Sequence, residues 1–150
     1  MKKILAMILA LTIFVLSCGN KSDTGSGSGS SGNDVIKIGV IAPLTGDVAQ
    51  YGVAVKEGVE LKIAEINAAG GINGKKIELI VADSKGDSQE AVNIFKKMVS
   101  QDKVNLIIGE VISSASLAIA DLAQSAKIPM ISASATNLDV TKGKDFVFRT

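Results

Sequence analysis

Two short stretches crowded with serine and threonine, residues 109–116 and 132–137, carry the side chains of this sequence best suited to bind a small molecule. Small hydroxyl residues let a ligand approach backbone N–H groups, and their hydroxyls can donate a hydrogen bond to one end of it. Ser113 and Ser114 also open a predicted helix, where unpaired N–H groups and the positive dipole end favour an anion. This pattern predicts a site that suits a carboxylate. Spacing alone leaves open that Ser113 or Ser114 only caps the helix.

The residues on which most enzymes and metal sites depend are scarce. The sequence has no histidine, and its one cysteine, Cys18, can form neither an internal disulfide nor a zinc cluster. Asp83 and Glu110 are single acids near strand ends, interpreted as solvated or structural because no second carboxylate or base accompanies them. No phosphate-binding glycine motif follows the first strand. We therefore expect no enzyme, no metal and no cofactor.

Alternating apolar runs and helical periodicity from residue 35 onward predict the elements that position these loops. Strands are predicted over residues 35–41, 76–82, 104–108 and 128–132, with a fifth over 145–149. Helices are predicted over residues 49–69, 88–101 and 114–126, with Ser88 as the N-cap of the second. The third helix is expected to bury Leu117, Ala118, Leu122 and Ala123. This order predicts an α/β fold, a Rossmann-like parallel sheet sandwiched by helices.

The loops after strands one, three and four should meet at one edge of that sheet. In open α/β sheets, ligands bind beyond the carboxyl ends of the strands, near the point where the strand order reverses. The loop after strand one, residues 42–52, contains the only tyrosine of the sequence, Tyr51. Tyr51 is therefore a candidate ligand contact, and packing on the hydrophobic core is the alternative.

Residues 35–150 resemble the leucine/isoleucine/valine-binding family, the type I fold of ABC-transporter substrate-binding proteins. The resemblance rests on residues 38–52, 107–116 and 131–136, and on the turn Ile66-Asn67-Ala68-Ala69-Gly70-Gly71-Ile72-Asn73-Gly74. It implies a protein that captures amino acids, with branched-chain amino acids foremost, between two hinged lobes and delivers them to an ABC transporter permease. The alternative is a sensor or receptor domain for amides or other amino-acid-like molecules.

The same resemblance implies a role for each site residue. Ser113, together with the hydroxyl and N–H of Thr136, would hold the ligand carboxylate. The backbone carbonyl of Ser134, with Ala135 beside it, would accept from the ligand ammonium, and Tyr51 would lie against the ligand. Residues 35–150 would form an incomplete first lobe, so we expect this part alone to bind weakly or not at all.

The N-terminus predicts export and a lipid anchor. Lys2 and Lys3 precede an apolar run over residues 4–16, which is typical of a signal peptide over residues 1–17 and too short to span a membrane. Residues 15–18 resemble a lipobox, so Cys18 is expected to be lipidated; a plain signal peptide with an incidental cysteine is the alternative. Residues 18–34 would then form a Gly/Ser-rich flexible tether.

The charge balance argues against one class of partner. The formal net charge is +1, and Lys2 and Lys3 account for that excess. A nearly neutral domain lacks the basic surface that nucleic acid requires. We expect an exported protein, lipid-anchored to the membrane and facing the periplasm or the cell exterior, with no nucleic-acid partner.

Overall fold

Short strands rich in isoleucine and valine form one parallel sheet in residues 35–150, the part of the chain that the computed structural model describes. The strands are β1 (Ile36–Ala42), β2 (Ile77–Asp83), β3 (Leu106–Gly109), β4 (Met130–Ser132) and β5 (Val147–Arg149). Their order across the sheet is β2-β1-β3-β4-β5. The predicted signal peptide, Cys18 and the tether lie outside the described residues.

β1 is the strand at which the sheet order reverses. It pairs with β2 on one side, from Ile36 opposite Ile77 to Ala42 opposite Asp83. On its other side it pairs with β3, where Ile41 lies opposite Gly109. Because β2 and β3 continue in opposite directions from β1, the loops after β1 and β3 border a crevice at the carboxyl edge.

Helices cover both faces of the sheet. They are α1 (Ala49–Ala68), α2 (Ser88–Lys97) with a π-helical turn after it (Met98–Asp102), and α3 (Ser113–Ala126). The larger core includes Phe95 and Met98 of the α2 segment, Ile119 of α3, and Ile41 and Ile107 of the sheet. A smaller core joins Ile63 of α1 to Ile38 and Ile77. The predicted α/β sheet sandwiched by helices is confirmed.

Two details of the helices differ from the prediction. Asp87, rather than Ser88, is the N-cap of α2, because its extended backbone lets its Oδ1 accept from the Glu90 N–H at 2.7 Å. On α3 the fully buried residues are Ala115, Ser116, Ile119, Ala120 and Ala123. Of the four residues predicted to be buried, only Ala123 is among them. Small residues face inward because α3 packs closely against α2, which leaves the leucines at the rim.

The glycine turn after α1 forms as predicted. α1 ends at Ala68, and Ile72 and Lys75 then exchange backbone hydrogen bonds across Asn73 and Gly74. Gly71 has a φ of +85°, and a Cβ there would lie 2.0 Å from the Lys75 carbonyl oxygen. This turn lies at the amino edge of the sheet, away from the crevice. None of the helices described in residues 35–150 is long and apolar enough to cross a membrane.

Candidate ligand-binding site

An open depression of about 400 Å³ lies at the carboxyl ends of β1, β3 and β4. The residues that line it are Tyr51, Val111, Ile112, Ser113, Ser114, Ser134 and Thr136. The depression therefore combines the three loops predicted from the sequence, at the reversal point of the sheet. Its lining is apolar and hydroxyl-bearing, without a charged side chain, so any anion bound there must be held by N–H and O–H donors.

Ser113 is the first residue of α3, and its hydroxyl joins two loops. Its Oγ accepts from the backbone N–H of Thr136 at 3.2 Å and from that of Asn137 at 3.4 Å. A hydroxyl has two acceptor sites and one donor. Because both acceptor sites are used, the hydroxyl hydrogen remains for a ligand acceptor. The helix N-cap is Ile112, without a side-chain cap bond, so the capping alternative is wrong for both Ser113 and Ser114.

The loop after β4 places Ser134 and Thr136 at the depression but not Ala135. The Ser134 hydroxyl donates to the Val111 carbonyl at 3.1 Å, which ties this loop to the loop after β3. The Thr136 side chain is exposed. Ala135 is 1% exposed, and its N–H donates to the Ser132 Oγ at 3.2 Å. Ala135 thus anchors the loop in the core instead of lining the depression.

Tyr51 lies in the first turn of α1 and lines the depression. Its side chain is 55% exposed, so the alternative that it packs on the core is wrong. An exposed aromatic ring beside hydroxyl donors offers a ligand an apolar surface together with a polar end. The predicted contact of Tyr51 with a ligand stays a prediction.

Asp83 braces the loop after β1. Its carboxylate accepts from the Leu44 N–H at 2.7 Å, the Thr45 hydroxyl at 2.5 Å and the Lys85 N–H at 2.8 Å. Desolvation raises the pKa of Asp83, but the hydrogen bonds from Thr45, Leu44 and Lys85 outweigh it and hold that pKa below its usual value. Asp83 is therefore structural, which is one of the two interpretations, solvated or structural, that the sequence left open.

Glu110 is fully buried between the loops after β2 and β3. Its Oε1 accepts from the Ser84 hydroxyl, and its Oε2 accepts from the Ile112 N–H at 2.8 Å. Desolvation raises the pKa of Glu110 above its usual value, although the bonds from Ser84, Ile112 and Val111 oppose that rise. The solvated alternative is wrong for this residue because no surface of its side chain reaches water.

The raised pKa of Glu110 gives stability a pH dependence of definite sign. Relative to a side chain that does not titrate, Glu110 favours folding most below its usual pKa of 4.5. That advantage is lost as pH rises through the higher pKa of the folded state. We expect the stability of Glu110→Gln, minus that of the wild type, to increase as pH rises above 4.5 and to level off above the raised pKa of the folded state. Urea unfolding of both proteins across that range measures it; a difference that grows toward acid would contradict it.

Val111 and Ile112 belong to a predicted site loop, but their place in the lining was not predicted. The bracing of the loops by Asp83 and Glu110 was not predicted either. One signal was present for Glu110: it lies between Ile107-Ile108-Gly109 and Val111-Ile112, a run otherwise suited to burial. An acid inside such a run indicates a buried carboxylate with hydrogen-bond partners close by. In residues 35–150 no group of three potential metal ligands comes together.

Known proteins share both the sequence and the fold. The profile of the periplasmic binding protein family matches residues 35–150. Over 127 residues, the chain is 38% identical to the leucine-, isoleucine-, valine-, threonine- and alanine-binding protein of Pseudomonas aeruginosa, covering 84% of this chain and 34% of that protein.

Two solved structures are similar to this chain in both sequence and fold. The branched-chain amino acid transporter substrate-binding protein LivJ of Streptococcus pneumoniae, in complex with isoleucine, is 42% identical with a TM-score of 0.74, covering 77% of this chain and 33% of that one. A solute-binding protein of an ABC transporter from Rhodopseudomonas palustris, in complex with 3,4-dihydroxybenzoic acid, is 33% identical with a TM-score of 0.72. The match covers 77% of this chain and 31% of that one.

The chain thus spans about a third of the length of the relatives it matches. Its parallel sheet and helices are those of the type I fold of these neighbours. The chain belongs to the periplasmic binding protein family, whose members are solute-binding proteins and not enzymes.

Proposed function

We propose that this chain is the first lobe of an exported solute-binding lipoprotein that captures a branched-chain amino acid and delivers it to an ABC transporter permease. The ligand carboxylate binds at the start of α3, against the Ser113 hydroxyl and the hydroxyl and N–H of Thr136. The Ser134 carbonyl accepts from the ligand ammonium, Ala135 holds that carbonyl in place, and Tyr51 covers the ligand side chain. The full-length protein adds a second lobe that closes over this surface.

The observation that carries this proposal is the hydrogen bonding of the Ser113 hydroxyl. Both of its acceptor sites are filled by backbone N–H groups, so its hydrogen is available to an acceptor in the depression. The first two residues of α3 line the depression. The free N–H groups of a helix start favour negative charge by about 0.3–1 kcal/mol. A hydrogen bond to a charged group adds about 1.5–3 kcal/mol, so a carboxylate is the ligand group that these donors suit best.

The relatives support the choice of amino acid and the need for a second lobe. The relative from Pseudomonas aeruginosa is named for binding leucine, isoleucine, valine, threonine and alanine, and the structure from Streptococcus pneumoniae contains isoleucine. Both are about three times as long as the stretch that they share with this chain. The depression is open to solvent, which leaves room for a second lobe to close over it.

Export and anchoring are supported by the family and by the N-terminal sequence. Periplasmic binding proteins work outside the cytoplasm, and residues 1–17 have the charged start and apolar run of a signal peptide. Cys18 then becomes the lipidated N-terminus, and residues 18–34 form the tether to the membrane. Incorporation of labelled palmitate into the wild type but not into Cys18→Ala is the expected result in cells. No labelling of the wild type would contradict the anchor, and labelling of both proteins would contradict Cys18 as its site.

A second candidate ligand class is an aromatic carboxylic acid. The structure from Rhodopseudomonas palustris, with 33% identity, contains 3,4-dihydroxybenzoic acid, and the exposed Tyr51 ring could stack on such a ligand. A sensor or receptor domain for amides is the further alternative. The carboxylate site serves the first two classes equally, so the ligand itself has to decide.

A thermal-shift screen of the full-length protein without its signal peptide tests the proposal. The panel contains the common amino acids, benzoic acids, small amides and urea. Because a ligand that binds only the folded state adds about 2.7 kcal/mol of stability at a hundred times its Kd, we expect leucine, isoleucine or valine to raise the Tm most. A shift with amides alone would remove the carboxylate assignment, and a shift with benzoic acids alone would replace the amino acid with an aromatic acid.

A further inference from the structure

Glu110 is the only charged side chain that is fully buried within residues 35–150. No ion pair in that part of the chain involves it. Burying a carboxylate without a cation beside it costs stability, and an apolar residue of similar volume is often at least as stable. Stability alone therefore does not account for an acid at this place.

The hydrogen bonds of Glu110 join three segments of the chain. Its carboxylate bonds to the Ser84 hydroxyl after β2 and to the Ile112 N–H before α3. Its backbone carbonyl accepts from the Ser116 hydroxyl at 2.9 Å and from the Ser132 hydroxyl at 2.5 Å. All three of these hydroxyls are fully buried, so their bonds to Glu110 are shielded from water.

This network has two arms, one through the Glu110 carboxylate and one through its backbone carbonyl, and both end beside the donors of the proposed carboxylate site. On one arm, the Ile112 N–H is held one residue before Ser113. On the other, the Ser132 Oγ accepts from the Ala135 N–H at 3.2 Å, one residue before Thr136. Ser113 and Thr136 then meet each other through their own hydrogen bond. Glu110 itself does not line the depression, so it acts on these donors only through its neighbours.

We infer that Glu110 is a positioning residue for the ligand site: its carboxylate fixes the backbone that carries Ser113 and thereby aligns Ser113 with Thr136. This inference rests on the proposed function of the site. It assigns the buried acid a role in ligand affinity that is separate from its role in stability. The separation is what an experiment can measure.

Three variants of the full-length protein distinguish the two roles. Glu110→Leu keeps the approximate volume and removes both side-chain hydrogen bonds. Glu110→Gln keeps both contacts, because its carbonyl can accept from the Ile112 N–H while its amide donates to the Ser84 Oγ, which reverses the direction of that second bond. Ser84→Ala is the matched control, since it disturbs the same buried network but leaves the bond from Ile112 in place.

Isothermal titration with isoleucine measures affinity, Tm measures stability, and amide hydrogen exchange at residues 109–116 reports the loop without any ligand. We expect Glu110→Leu to weaken binding by about tenfold or more and to accelerate exchange at Ile112. Glu110→Gln and Ser84→Ala should bind within about threefold of the wild type, even if Ser84→Ala melts earlier.

The inference is overturned if Glu110→Leu binds and exchanges like the wild type. It is equally overturned if Ser84→Ala and Glu110→Leu lose affinity in proportion to their losses of Tm, because the role is then structural only. If Glu110→Leu does not fold, Glu110→Met repeats the test; failure of both to fold while Glu110→Gln folds also shows a structural role. If the wild type binds no member of the panel, the proposed function fails, and the exchange rates at Ile112 alone judge whether Glu110 positions the loop.

Discussion

Replacing Ser113 or Thr136 with alanine in the full-length protein should weaken amino acid binding by about tenfold or more. In the proposed carboxylate site, each change removes a hydroxyl that would donate to the ligand, and a hydrogen bond to a charged group contributes about 1.5–3 kcal/mol. Ser113→Ala has a second consequence, because the N–H groups of Thr136 and Asn137 lose their acceptor. We therefore expect Ser113→Ala to be the more damaging of the two. Isothermal titration with leucine, isoleucine and valine measures the effect.

Two control residues of the same types lie outside the depression. Ser125 is an exposed serine at the opposite end of α3, whose hydroxyl bonds to the Asp121 carbonyl. Thr141 is a partly buried threonine whose hydroxyl is 3.4 Å from the Leu138 carbonyl oxygen. Ser125→Ala and Thr141→Ala should bind like the wild type. Unchanged affinity in both Ser113→Ala and Thr136→Ala would remove the carboxylate site from this lobe.

Replacing Gly52 with alanine should destabilise the protein by about 1–3 kcal/mol or more, because it overpacks the contact between α1 and the loop after β1. Gly52 is buried in the first turns of α1, and a Cβ there would lie 1.9 Å from the Pro43 carbonyl oxygen. No side-chain rotation relieves a contact with backbone, so the start of α1 must move outward. That movement carries Tyr51 with it, and ligand affinity should fall together with stability.

Gly58 in the same helix provides the control for Gly52. A Cβ at Gly58 meets no atom within 4 Å, so Gly58→Ala changes only helix propensity. We expect Gly58→Ala to stabilise the protein by about 0.5–1 kcal/mol, since glycine costs that much relative to alanine in a helix interior. Urea unfolding of both variants gives opposite signs if this account is correct. Equal stabilities would show that α1 does not approach Pro43 as closely as the structure has it.

Local pattern was sufficient to predict the elements that build the fold. The isoleucine and valine runs of β1, β2 and β3 suit strands covered on both faces, and each predicted strand overlaps the observed one within about two residues. The alternation of strands with helices then restricts the topology to a parallel sheet. For the same reason, the loops at the carboxyl edge could be named in advance: chain direction alone puts the ends of parallel strands on one side.

Other features depended on partners distant in sequence. The inward face of α3 could not be predicted because it depends on how closely α2 approaches. Mostly small residues, rather than leucines, are fully buried on that face. From the sequence, the Ser113 hydroxyl could equally have been a helix cap. In the structure it accepts hydrogen bonds from the N–H groups of Thr136 and Asn137, which follow 23 and 24 residues later. Glu110 became interpretable only through Ser84, which lies 26 residues earlier in the chain.

The sequence by itself determined the fold class, the carboxyl-edge location of the site and the hydroxyl character of its loops, since these follow from periodicity, strand direction and residue type. Only the tertiary structure decided which donor atoms remain available to a ligand. Ser113 keeps a free hydroxyl hydrogen because two backbone N–H groups from another loop fill its acceptor sites. Each donor or acceptor atom can form only a limited number of hydrogen bonds. Whether it remains available to a ligand therefore depends on every neighbour that the fold brings within reach, and such neighbours are not adjacent in sequence.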